Sequence, residues 1–251
     1  ASNFERHKNI ITAIHRKLKE MGGYIFYVLT NYGVYKNQME FRHGEPATYS
    51  FLDHMQIDGC ILEANLGSAA VMEYICEKLE RRGIPTISIN IEKEGIPYIG
   101  MDSYSSGKLL IEHMIDVHKS RKINLVLNEK KDDIISMNMW KAYRDVFRDR
   151  GLTVEESRVY KCAVGIPNGR RLFHRFREDH TSDADAVVMV HDVLAIGYEL
   201  EMEKYGMRAP DDVIMCSLNR SANSLVFRPD ITGVDRMDGL VASMACDLLA
   251  K

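Results

Sequence analysis

The polar side chains that could do chemistry in this sequence share one setting: each stands at the end of a short apolar run. His191 and Asp192 follow Val187-Val-Met-Val190, and Ser217-Leu-Asn219 follows Val213-Ile-Met-Cys216. Asn90, Asp102 and Asn128 close three further runs of the same kind. Short continuous apolar runs bounded by turn residues read as buried strands. In open α/β sheets ligands sit beyond the carboxyl ends of strands, so these side chains are placed to hydrogen-bond a small polar molecule. They are donors and acceptors, with no obvious nucleophile and base among them. Each alone has a second role open to it. An Asp or Asn after a strand often caps the next helix, and Asp192 before Val193-Leu-Ala-Ile-Gly197 could do just that.

Other chemistries leave little trace. There is no G-x-S-x-G elbow, no Walker loop and no G-x-G-x-x-G. Gly22-Gly23 precedes an apolar run rather than following one, the wrong order for a phosphate at a helix N-terminus. Nine histidines are scattered without an H-E-x-x-H or H-x-H pair, so neither a metal site nor a cofactor is expected. Five unclustered cysteines argue against a disulfide framework and fit a reducing cytoplasm. A net charge of −3 predicts no nucleic-acid footprint. Arg170, Arg171, Arg175 and Arg177, at helical spacing, read as a solvated face. No secretory signal is visible and no apolar run is long enough to span a bilayer, so no membrane partner is expected.

The elements that must position these residues alternate along the chain. Strand-like runs fall at 24–29, 60–62, 86–89, 99–101, 123–127, 186–190 and 213–216. Helical periodicity covers 4–21, 71–79, 105–117, 138–149, 194–205 and 241–249. Such alternation means an α/β fold with parallel sheets and right-handed crossovers. With 251 residues, two medium lobes fit better than one very large sheet. Residues 31–54 show no clear period until Tyr49 and read as a long loop at strand ends.

Five segments together resemble the effector domains of lactose-, purine- and ribose-type bacterial repressors, relatives of periplasmic sugar-binding proteins. Ile99-Gly-Met-Asp-Ser-Tyr-Ser-Ser-Gly107 is similar to that family's strand ending in Asp before a Gly-containing helix. Ala142-Tyr-Arg-Asp145 with Gly151-Leu152 resembles its G-Y-R-D…G-L stretch, and Val190-His-Asp-Val-Leu-Ala-Ile-Gly197 its N-D-x-x-A-x-G. Gly206-Met-Arg-Ala-Pro-Asp-Asp-Val213 and Arg228-Pro-Asp-Ile-Thr232 follow in family order.

The resemblance implies two similar lobes of the type I periplasmic-binding-protein kind, each a parallel sheet flanked by helices. Residues 1–102 plus 236–251 would form one and 103–235 the other, with the effector in the cleft between. It implies a non-enzymatic small-molecule sensor domain of a transcriptional regulator or signalling protein, working as a homodimer and meeting DNA only through a separate domain. The ligand would be a small polar molecule such as a sugar or nucleobase. Asn90, Asp102, Asn138, Trp140, His191, Asp192, Asn219 and Arg236 are the implied contacts. Three departures bear on this. The chain starts in a helix where the family has a strand, and Asn219 replaces an Asp. Met139 stands where an Arg usually grips the ligand with a bidentate fork. Two other readings stay open: an α/β enzyme with an unrecognised site, and a ligand-free dimerisation domain.

Overall fold

The computed structural model describes residues 2–26, 28, 49–63, 69–131, 133–221 and 231–251. In chain order these form α1 (Ser2–Glu20), β1 (Cys60–Glu63), α2 (Ala69–Arg81), β2 (Thr86–Ile89), β3 (Tyr98–Ile99), α3 (Ser103–Asp116) and β4 (Ile123–Asn128). There follow α4 (Ile134–Asp149), β5 (Val159–Cys162), α5 (Ile166–Glu178), β6 (Ala186–Met189), α6 (Asp192–Met202), β7 (Ile214–Ser217), β8 (Thr232–Gly233) and α7 (Asp238–Leu249). The chain divides into two compact units, residues 7–100 with 237–251, and residues 101–236 with 1–6. The division therefore falls at 100/101 and 236/237, and the first six residues group with the second unit.

In the unit of residues 101–236 the sheet order is β5-β4-β6-β7-β8, every pair parallel. β6 is buried at all four positions and β4 at five of six, which is why their sequences run apolar without alternation. Leu125, Leu127, Val188 and Cys216 face one side, packed with Met114, Tyr143 and Phe147 of α3 and α4. Val126, Val187, Met189 and Met215 face the other, with Phe173, Phe176, Tyr198 and Met202 of α5 and α6. α5 crosses α6 at a pair of glycines. A Cβ on Gly197 would lie 2.1 Å from the Ile166 carbonyl oxygen, and one on Gly169 2.1 Å from that of Leu194. The two backbones are in contact there.

The unit of residues 7–100 and 237–251 has the parallel sheet β1-β2-β3. Ile10, Ile14, Ala242, Ala245 and Cys246 of α1 and α7 cover one face through Ile87 and Ile89. α2 and the 3-10 turn Ser50–Asp53 cover the other through Leu62, with Leu52, Val71, Ile75 and Leu79. α1 ends where Gly22 turns left-handed (φ 74°) and the Gly23 N–H donates to the Leu18 carbonyl at 2.7 Å.

Several expectations need correction. Residues 24–26 and 28 form no strand; Tyr27 and Leu29 lie outside the described residues. Extended chain becomes a strand only with a hydrogen-bonding neighbour, and no described strand pairs with this run. Ile25 and Val28 pack into the two opposite clusters, while Tyr24 is 98% exposed. β5 and β8 had no counterpart among the expected strands, and the arginine-bearing stretch is the full helix α5. The expected loop at 31–54 lies outside the described residues except for its end. All five cysteines are unpaired, and among the described residues no helix is long and apolar enough to cross a membrane.

Candidate functional site

Strands of one parallel sheet end at the same edge, and crossover helices return so that their N-termini lie there too. In the unit of residues 101–236 that edge gathers the ends of β4, β6, β7 and β8 and the starts of α4 and α6. Seven of the eight expected site residues belong to this unit; Asn90 belongs to the other.

Asp192 is the first residue of α6 and is fully buried. It does not cap its own helix through its side chain. One carboxyl oxygen accepts the Ser221 N–H at 2.9 Å, and the other accepts from Asn219 Nδ2 at 3.4 Å. The Asp192 N–H in turn donates to Asn219 Oδ1 at 3.1 Å. A buried polar group without partners is costly, so this reciprocal pair fixes the segment after β7 against the start of α6. The sequence showed both residues at strand ends, but not that they bond each other.

His191 precedes them, partly buried, and its ring makes no hydrogen bond among the described residues. Burial pushes its pKa below the ordinary 6.5, and Arg236 adds to that, while Asp133 and Asp192 pull the other way. The imidazole is held neutral near pH 7, with one nitrogen to donate and one to accept. Arg236 is thereby located near His191, as is Asp133 at the start of α4.

Asp133 carries a helix cap that was not anticipated. Its carboxylate accepts the Ser136 N–H at 2.9 Å, and Ser136 Oγ accepts the Asn128 N–H at 2.9 Å. The Asp three residues before Ser136 is a cap pattern legible in sequence. Asn138, one turn into α4, donates from Nδ2 to Ser103 Oγ at 2.9 Å, which joins the starts of α3 and α4.

Two expected residues, and Met139 at the position of the usual Arg, have structural occupations. Asp102 is exposed and caps α3, accepting from the Ser105 N–H at 2.9 Å and Ser105 Oγ at 2.6 Å; these bonds hold its pKa below the ordinary carboxylate value. Trp140 stacks on Tyr143 with ring centroids 5.7 Å apart, and the Arg144 guanidinium lies 5.2 Å over its ring. Met139 is fully buried, its sulfur filling the space left by Gly107. It is a core residue.

In the other unit Asn90 follows β2 in a left-handed conformation (φ 58°), and its N–H donates to the Ile99 carbonyl at 2.9 Å. Its Nδ2 is buried without a hydrogen-bond partner among the described residues.

Comparisons with known proteins agree on one family. A family profile described as periplasmic binding proteins and sugar binding domain of LacI family matches residues 9–240. The arabinose metabolism transcriptional repressor of Halalkalibacterium halodurans is 24% identical over 186 residues, covering 71% of this chain and 48% of its own length. Catabolite control protein A of Staphylococcus xylosus is 23% identical over 209 residues, covering 82% of this chain and 61% of its own length. The chain thus spans about half to three fifths of these relatives. Among solved structures, the transcriptional regulator CelR–cellobiose complex superposes with a TM-score of 0.78 at 18% identity, over 98% of this chain and 72% of that one. At that identity the likeness speaks to the fold.

Proposed function

The chain belongs to the family of periplasmic binding proteins and LacI-type sugar-binding domains, and from that premise we propose that it is the non-enzymatic ligand-sensing domain of a transcriptional regulator. The observation that carries this reading is the carboxyl edge of the sheet in residues 101–236. There the neutral His191 directly precedes Asp192, which holds Asn219 in place. No nucleophile is hydrogen-bonded to His191 among the described residues, so the edge supports binding rather than turnover.

The ligand class we infer is a neutral sugar or similar polyol. Hydroxyls both donate and accept, as do a neutral imidazole and the carboxamides of Asn138 and Asn219. With Met139 buried in the core, no Arg fork stands at that position to select an acid. Asp102 and Trp140 leave the list of direct contacts, and Asp192 acts by positioning Asn219. Ligand binding would favour one conformational state, with a homodimer as the assembly that transmits it and DNA met through another domain.

A thermal-shift screen of the whole chain against neutral sugars, acid sugars, nucleobases and amino acids tests this. A ligand of the folded state at about 100 times its Kd adds roughly 2.7 kcal/mol of stability. We expect a neutral sugar such as cellobiose, ribose or arabinose to raise the Tm, and Asn219→Ala to abolish that rise. A screen in which no neutral sugar shifts the Tm overturns the ligand assignment. A shift unchanged in Asn219→Ala and His191→Ala overturns the site.

A further inference from the structure

The unit of residues 101–236 exposes seven large hydrophobic side chains among its described residues, and four of them stand at the carboxyl edge of its sheet. Ile134 and Met137, in the first turn of α4, are 52% and 61% exposed. Val164 and Ile166, where the chain turns from β5 into α5, are 43% and 40% exposed. Apolar side chains scattered singly over a surface need no explanation, but a set gathered at a polar binding edge does. β4 and β5 are neighbours, and the Glu129 N–H donates to the Cys162 carbonyl at 3.1 Å, so the two turns leave the sheet side by side. Both turns are held. The Asp133 carboxylate caps α4 through the Ser136 N–H, and Asn168 Nδ2 donates to the Ala163 carbonyl at 2.9 Å. The apolar residues also adjoin the polar ones. Met137 directly precedes Asn138, and Asp133, which directly precedes Ile134, lies near His191.

We propose that the ligand of this edge is a glycoside carrying an apolar aglycone, an alkyl or aryl group, rather than a free sugar. The inference rests on the neutral-sugar reading above and narrows it. Imidazole and carboxamides answer the hydroxyls of a sugar ring. A free sugar has a hydroxyl on nearly every carbon, and its short C–H patches cannot cover four side chains carried on two turns. An aglycone brings hydrocarbon without hydroxyls, joined to the ring that Asn138 and Asn219 would hold. Burial of that hydrocarbon against Ile134, Met137, Val164 and Ile166 is favourable in proportion to the area removed from water. None of the four is aromatic, so selection goes by apolar area and not by ring stacking, and both a straight alkyl chain and a phenyl group qualify. A charged substituent would lose hydration against these side chains without a compensating bond, which disfavours acidic or amino aglycones.

Calorimetric titration of the whole chain tests this. The probes are free glucose, galactose, xylose and arabinose, with the methyl, ethyl, propyl, butyl and phenyl glycosides of each in both anomers. Fully burying one methylene changes Kd about fourfold. For a sugar that binds, we expect Kd to fall about two- to fourfold with each added methylene. The phenyl glycoside should bind at least about tenfold more tightly than the free sugar. Met137→Ser and Val164→Ser lie at exposed positions on different turns, so their unliganded melts should match the parent. Each should flatten the dependence on chain length. If either variant fails to fold, the alkyl series on the parent still decides. A free sugar that binds as tightly as its butyl and phenyl glycosides overturns this inference and leaves the neutral-sugar site standing. So does a chain-length dependence that survives both substitutions, since the aglycone then lies elsewhere. Silence towards every sugar and every glycoside overturns both readings.

Discussion

Three carboxyl side chains buried on α6 show how partners decide what burial does. Asp192 has the Ser221 N–H and Asn219. Glu201 accepts from Lys204 at 2.7 Å and lies 3.1 Å from His174 Nε2, and these bonds hold its pKa below the ordinary value. Glu199 is 4% exposed, and its Oε2 has no hydrogen-bond partner among the described residues. Burial raises its pKa from 4.5 to about 7, and the like charge of Glu203 one turn on adds to the rise. A carboxyl whose folded pKa is raised binds its proton more tightly in the folded state. Its contribution to stability is fully present below pH 4.5 and is lost as pH climbs to about 7. Glu199→Gln should therefore leave stability little changed near pH 4.5 and raise it at pH 8 by about 3 kcal/mol at most. Urea melts of both proteins at the two pH values check this. A difference that does not grow with pH would mean that Glu199 finds a counter-charge.

At the scale of elements, the Gly197 that ends the His191–Gly197 stretch has a reason the sequence alone did not show. It lets α6 touch α5 backbone to backbone at Gly169. A methyl group there meets the Ile166 carbonyl, which belongs to the helix frame and cannot rotate away. Gly197→Ala should cost roughly 3 kcal/mol or more by overpacking and lower the Tm by roughly 6–12 °C. A differential scan would show it. Gly83→Ala, a left-handed position with nothing near its would-be Cβ, is the control whose cost comes from backbone strain alone. Helix and strand alternation was legible because β4, β6 and β7 are covered on both faces and so run largely apolar. β5 was not, because only Tyr160 of its four residues is buried, and β8 has just two residues. Residues 24–26 and 28 show the converse: strand-forming residues without a ladder partner among the described residues. For the site, strand-end position revealed which residues lie at the edge. The cap that occupies Asp102 with Ser105 has the same spacing as that of Asp133 and Ser136 and could have been read; that Met139 fits against Gly107 could not, since it is a contact between helices.

At the scale of the whole molecule, the described residues of the two units differ in how much holds their sheets. The unit of residues 101–236 has five strands, with large buried clusters on both faces that include Tyr143, Phe147, Phe173 and Phe176. Its β4 has neighbours on both edges. The unit of residues 7–100 and 237–251 has three described strands, the third only two residues long, and smaller described clusters dominated by Ile, Leu, Val and Ala. Smaller buried clusters among the described residues predict a lower free energy of opening, and amide exchange reads that free energy locally. Amides of Ile123–Asn128 and Ala186–Met189 should outlast those of Cys60–Glu63 by about 100-fold or more, since every 1.4 kcal/mol is a factor of ten. Hydrogen exchange followed by mass spectrometry on peptides from the two sheets makes the comparison within one sample. Equal protection would mean that both sheets open only when the entire chain unfolds. Unequal protection would mark the smaller unit as the part of the molecule able to loosen while the sheet bearing His191 and Asn219 stays intact.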